Sequence, residues 1–121
     1  MSVLGDLRRE LVDTIEGLTT YDHVPASVQL PAAFVMAGAP YIEAGQTFGT
    51  RHVRLQLVLL THPASNSGET DWLDEQIEAV QKRLTDEEWT VERVEQPQLQ
   101  ELSGSEVLAT AISVGTDVTF P

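Results

Sequence analysis

The chain has 121 residues, of which 41% are apolar, 21% charged and 6% aromatic, a length that suits one domain with a sizeable core. Nineteen acidic residues against seven Lys and Arg give a formal charge of −12, a field that repels phosphate and argues against gripping nucleic acid or an anionic membrane. With no cysteine there is no disulfide, thiolate metal site or cysteine nucleophile. The opening MSVLGDLRRE carries no secretory apolar stretch, and no apolar run approaches the ~20 residues of a membrane span, so a reducing compartment is expected.

Leu4, Leu7, Leu11, Ile15 and Leu18 recur at three and four, which predicts an amphipathic helix from Ser2 to Leu18, stopped near Gly17 and Thr19. Residues 19–50 read as irregular, with Pro25, Pro31 and Pro40 keeping the chain out of helix and central-strand positions. Within them Ala33 to Ala37 is the one continuous apolar run and predicts a short buried strand; Tyr41-Ile42 suggests another brief piece.

Thr50 to Thr61 is the clearest strand. Val53, Leu55, Leu57 and Leu59 alternate with His52, Arg54 and Gln56, and from Val58 onward both faces are apolar. Residues 62–70 (HPASNSGET) have turn composition. A second helix is expected from about Asp71 to Leu84, carried by Leu73, Ile77, Val80 and Leu84, with acids in its first turn and Lys82 and Arg83 in its last. Trp89 to Glu95 predicts a strand, residues 98–104 a loop containing Ser103-Gly104, and Ser105 to Phe120 a long closing strand. Its odd positions, Val107, Ala109, Ala111, Ser113 and Gly115, are mostly small and would admit a neighbouring backbone or subunit.

These elements compose one α+β domain over residues 1–121, in the order α-β-β-α-β-β. The expected architecture is a mostly antiparallel four-stranded sheet with two helices packed on one face.

Chemistry-bearing patterns are sparse. His52 and His62 are ten residues apart on or just past one strand, roughly 33 Å at the rise of a β-strand, too far to share an ion. His23 would have to join one of them alone, with a carboxylate as third ligand, so the histidines read as solvated or capping side chains. Asp86-Glu87-Glu88 reads as a solvated turn, and neither a phosphate-cradling loop nor a Gly-x-Ser-x-Gly elbow occurs. No catalytic residue, cofactor or metal is therefore expected. Acidity is uneven, with net −7 between Glu69 and Glu95; such a surface serves solubility, repulsion of DNA or mimicry of it. Arg51 and Arg54, three apart on a strand, face opposite ways, which suggests ordinary exposure or pairing with an acidic neighbouring subunit.

As a whole the pattern resembles small virion proteins of long-tailed bacteriophages. The resemblance is carried by Val3-Leu4-Gly5-Asp6-Leu7, Pro31-Ala32-Ala33-Phe34-Val35, Ala39-Pro40-Tyr41 and Phe48-Gly49. Trp89 with Gln96-Pro97 and the closing Leu108-Ala109-Thr110 belong to the same set. Within that group the chain is most similar to the tail-terminator family of siphophages infecting actinobacteria. The resemblance implies a non-enzymatic protein of the tail and neck, assembled in the host cytoplasm as a homo-hexameric ring. Such a ring caps the tail tube, touches the major tail tube protein and a head-closure or neck protein, and passes genomic DNA without binding it specifically; no membrane is involved.

An acidic lumen suits that task, because repulsion keeps the genome off the wall. The loops at 43–50, 61–70 and 98–104 are the expected contact material, with Arg51, Arg54, Asn66, Ser67, Gly68, Ser103 and Gly104 as candidate subunit or tube interface residues. The competing readings are a head-closure or other head-tail connector protein, and a small acidic adaptor or inhibitor that mimics DNA.

Overall fold

The structure, a computed structural model, describes residues 2–15, 18–23, 29–62, 67–102 and 104–120. Helix α1 spans Val3–Asp13 and begins where the Ser2 hydroxyl accepts the Gly5 N–H at 2.9 Å, satisfying one orphan donor of the first turn. It is shorter than its periodicity predicts. The Thr14 and Ile15 N–H groups bond back three residues, to Leu11 and Val12, a tightened turn that ends the helix. Ile15 still joins the core from beyond the helix end, and Leu18 packs against it from the approach to the first strand. The expected stop at Gly17 lies outside the described residues.

The region read as irregular is more ordered than its prolines suggest. Strand β1 (Thr19–Tyr21) pairs parallel to β2 (Ala32–Ala44), and β2 pairs antiparallel to β3 (Arg51–Thr61). The two expected pieces, Ala33 to Ala37 and Tyr41-Ile42, are one long strand whose register against β3 shifts between Ala37 and Ile42. Pro40 is tolerated because it lies within that shift, beyond the reach of β1, which covers only Ala32 to Phe34. Gly38 is also required there: a Cβ on it would stand 2.8 Å from the Arg54 Cβ.

Helix α2 runs Ser67–Asp86, beginning four residues before the expected Asp71. Ser67 and Gly68, read as loop, are therefore helical. Ser, Asn and Gly belong equally to turns and to helix entries, so composition alone does not separate the two. Its end has a defined cause. The Trp89 N–H bonds the Leu84 carbonyl at 2.9 Å and the Glu88 N–H that of Thr85 at 3.1 Å, with Glu88 at φ 68°. This is the Schellman arrangement, closed by buried Leu84 and Trp89 packing in one cluster, but with Glu in the left-handed position usually given to Gly. The stretch read as a solvated turn, Asp86-Glu87-Glu88, is exposed and forms the turn that ends the helix.

Strands β4 (Thr90–Val94), β5 (Gln98–Leu102) and β6 (Ser105–Val118) complete the sheet. The order is β1-β2-β3-β6-β4, with β5 also on β6. The four-stranded expectation is thus corrected to a mixed six-stranded sheet, which is mostly antiparallel as expected: β1 pairs parallel to β2, and residues 98–102 are strand rather than loop. Gln98–Leu102 lacks β-branched residues and follows Pro97, so propensity argues against it. Its pairing with Ser105 to Ala109 of β6, a stretch of that edge that β4 leaves empty, decides otherwise. Gly104, at φ 80°, makes the turn between β5 and β6. Ser103 lies outside the described residues.

Both helices cover one sheet face. Leu7 and Leu11 of α1 and Leu73, Val80 and Leu84 of α2 pack with Val53, Leu55, Leu57 and Leu59 of β3 and with Ile112 and Val114 of β6. The opposite face has a smaller apolar cluster at one end, made by Phe34, Val58, Leu60, Val107 and Ala109. Its other end is polar.

The α2 terminus supplies a test. Glu88→Gly is expected to raise stability by about 1 kcal/mol, because glycine adopts the left-handed conformation without a Cβ penalty. Urea unfolding reads this as a higher midpoint at unchanged slope.

Candidate functional site

The polar end of the helix-free face gathers side chains from four strands. Register puts His52 of β3 opposite Asp117 of β6 and Glu43 of β2, and Arg54 opposite Gly115. Residues two apart on a strand share a face, so His52 and Arg54 point the same way, as do Gly115 and Asp117. Glu92 of β4 enters this group because the β4–β6 register slips between Val91 and Arg93. The slip also lets Val91 and Val94, three apart, both pack toward the helices, which strict alternation forbids.

The contacts form a continuous network. His52 Nδ1 lies 2.6 Å from Asp117 Oδ1, and Nε2 lies 3.1 Å from Glu92 Oε2. Arg54 Nε donates to Glu92 Oε1 at 3.0 Å, and its Nη1 donates to Glu43. A neutral imidazole carries one N–H and cannot donate to both carboxylates, so the full network requires the imidazolium. In agreement, the Asp117 hydrogen bond chiefly, with Glu92 adding, raises the His52 pKa above its ordinary value against an opposing desolvation. The Glu43 hydrogen bond likewise raises that of Arg54.

Gly115 makes room for this arrangement. A Cβ there would stand 2.4 Å from His52 Nε2 and 2.7 Å from Cε1. What approaches the small-residue face of β6 at this point within the chain is therefore the His52 imidazole. The cluster lines a shallow, open groove of about 560 Å³, bounded also by Gly45, Glu88 and Thr90. Chemically it can exchange a proton at His52, while both of its cations already face carboxylates of their own sheet. Among the described residues, no group of three or more His, Asp or Glu side chains is placed to hold a metal ion.

The expected interface residues do not converge. Arg54 is tied within this network, whereas Arg51 is exposed, and its guanidinium donates to the Thr50 carbonyl at 2.9 Å. Ser67 and Gly68 lie in the first turn of α2, and Gly104 lies at the β5–β6 turn, toward the other end of β6. Asn66 lies outside the described residues, as Ser103 does. The histidines stay apart: His62 follows the far end of β3, and the exposed His23 pairs with its neighbour Asp22 at 2.7 Å. Sequence reasoning missed Glu43, Glu92 and Asp117. The available signal was the matched spacing of His52 with Arg54 and Gly115 with Asp117, legible only once β3 is paired with β6. A scan against protein-family models and a search of curated proteins both find nothing that matches this chain.

Two outcomes test the network. Because the folded pKa of His52 is raised, its stabilisation is fully present below the unfolded value near 6.5 and is lost as pH rises through the folded value. Unfolding followed across pH should show that decline in the wild type, and His52→Gln should remove this component. Gly115→Ala should displace the ring, costing about 1–3 kcal/mol as over-packing does. It should also flatten the same pH dependence, which histidine NMR titration reads directly.

Proposed function

We propose that this chain is a structural virion protein, a subunit of a ring that caps a phage tail tube and joins it to the neck, with DNA passing through an acidic lumen. The observation that carries this reading is the outward face of α2. Leu73, Val80 and Leu84 are buried against the sheet, while Asp71, Asp74, Glu75 and Glu78 are exposed on the other side. Several cations are meanwhile engaged inside the chain: Arg54 with Glu43 and Glu92, Arg9 with Asp6, and Arg93 with Glu95. The surface left over is acidic and repels the phosphates of a passing duplex. The resemblance of the sequence to tail terminators supplies the ring and its position. The ring would contain copies of this chain in hexameric array, with the major tail tube protein on one side and a neck protein on the other.

The same acidic face also suits a head-closure protein, or a DNA mimic that occupies a basic partner. These readings differ in assembly. A ring protein forms one discrete closed oligomer, whereas a mimic stays monomeric or dimeric and binds a basic protein with affinity that falls steeply with salt. Native mass spectrometry of the full chain across a dilution series is expected to show a hexamer. A monomer that also fails to bind isolated tail tubes would overturn the tail-terminator reading.

A further inference from the structure

We infer that the β2–β3 hairpin tip is a docking finger for a second copy of this chain, with Phe48 and Arg51 seating on the acidic β5–β6 hairpin. Phe48 is fully exposed, at 107% of its reference area, where most large aromatics bury most of their surface. It does not hang from a loose loop. Gly45 N–H bonds the Thr50 carbonyl at 2.9 Å, and the Thr50 N–H and hydroxyl both donate to the Thr47 carbonyl, at 3.2 and 2.7 Å. Gly49, at φ 87°, completes the turn. The aromatic ring is thus presented by a pre-organised tip, which lowers the ordering cost of docking.

Charge selects the partner. From Ala44 to Arg51 the tip has no acidic residue and one cation, in a chain of net charge −12. Among the described residues, Arg51 makes no ion pair. At the β5–β6 hairpin the situation is inverted. Glu101 and Glu106 are both exposed and sit directly opposite each other in the ladder, a like-charge pair that destabilises its own hairpin. Leu99, 56% exposed, lies two residues from Glu101 on the same face. These side chains line a shallow depression of about 440 Å³ with Gln100 and Gly104. An arginine beside the acid pair relieves its repulsion, and an aromatic ring on Leu99 covers its exposed apolar area; aromatic and Arg anchors of this kind dominate interfaces.

One molecule cannot make this contact with itself. The tip adjoins the Arg51↔Val118 end of the β3–β6 ladder and the acidic hairpin adjoins the Thr61↔Leu108 end, roughly 35 Å apart at the rise of a β-strand. Donor and acceptor are unlike surfaces at opposite ends of the sheet. The contact is therefore heterologous and repeats head to tail, closing into a ring when the subunit rotation divides the circle evenly. It deepens the ring reading and rests on it for closure.

Native mass spectrometry of full-length variants tests the contact. Phe48→Ser with Arg51→Glu removes the finger; Leu99→Ser with Glu101→Lys removes its receiver. Each variant alone is expected to lose the oligomer, with association weakened at least about tenfold. An equimolar mixture should recover a heterodimer, because each partner keeps one intact surface, and that heterodimer should weaken as salt rises. Oligomers of both variants indistinguishable from the wild-type hexamer would overturn the finger and leave the ring standing. A wild type that stays monomeric overturns the finger, while binding to isolated tail tubes then judges the ring separately. An open ladder of wild-type oligomers, lost in both variants, would support the finger and overturn the closed ring.

Discussion

The β3–β6 pairing is the constraint on which the rest of the molecule depends. It runs without a slip from Arg51↔Val118 to Thr61↔Leu108, so a single register sets both faces of the sheet. On one face it brings Val53, Leu55, Leu57 and Leu59 beside Ile112 and Val114, making the surface onto which both helices pack. On the other it puts His52 beside Asp117 and Arg54 beside Gly115. A one-residue slip would exchange the two sets, burying charges under the helices and exposing leucines. Burial of the leucine face thus holds the polar cluster in place.

The partners on either side of this pair are less regular, and their irregularities serve the polar end. β2 carries extra residues around Gly38 and Pro40, which let its Ala32–Val35 stretch stay buried while Glu43 still reaches Arg54. β4 carries its slip at Glu92, which turns that carboxylate toward both cations. Bulges re-aim side chains without changing the sheet order. The result is a charge cluster nearly balanced in itself, beside an acidic helix face that is not. In a chain of net charge −12, that division puts more of the external field on α2 and the β5–β6 hairpin than on the strand junction.

The two ends of the sheet are chemically unlike. One carries a tight hairpin tip with an aromatic ring and an exposed arginine; the other carries facing glutamates beside an exposed leucine. A subunit with unlike ends is suited to head-to-tail repetition rather than to a two-fold pair. The acidic face of α2 lies on the helix side of the sheet, so such repetition would line up like-charged helices along the assembly.

Composition and periodicity determined the coarse protein: one α+β chain, two amphipathic helices, a long central strand and a strongly acidic surface. Strict alternation at Val53 to Leu59 and the three-four spacing of Leu73, Ile77, Val80 and Leu84 are local signals, and each element kept its identity because its apolar stripe had one face to bury. Only the tertiary structure decided what depends on pairing. Gln98–Leu102 is a strand because β6 has an edge to fill, and β2 continues through Pro40 because its outer side is unpaired there. Ser67 and Gly68 are helical although their residue types equally permit a turn. The cluster of Glu43, His52, Arg54, Glu92 and Asp117 spans seventy-five positions of sequence. No local pattern encodes it, since its members meet only when four strands take their registers and Gly115 leaves space for a ring.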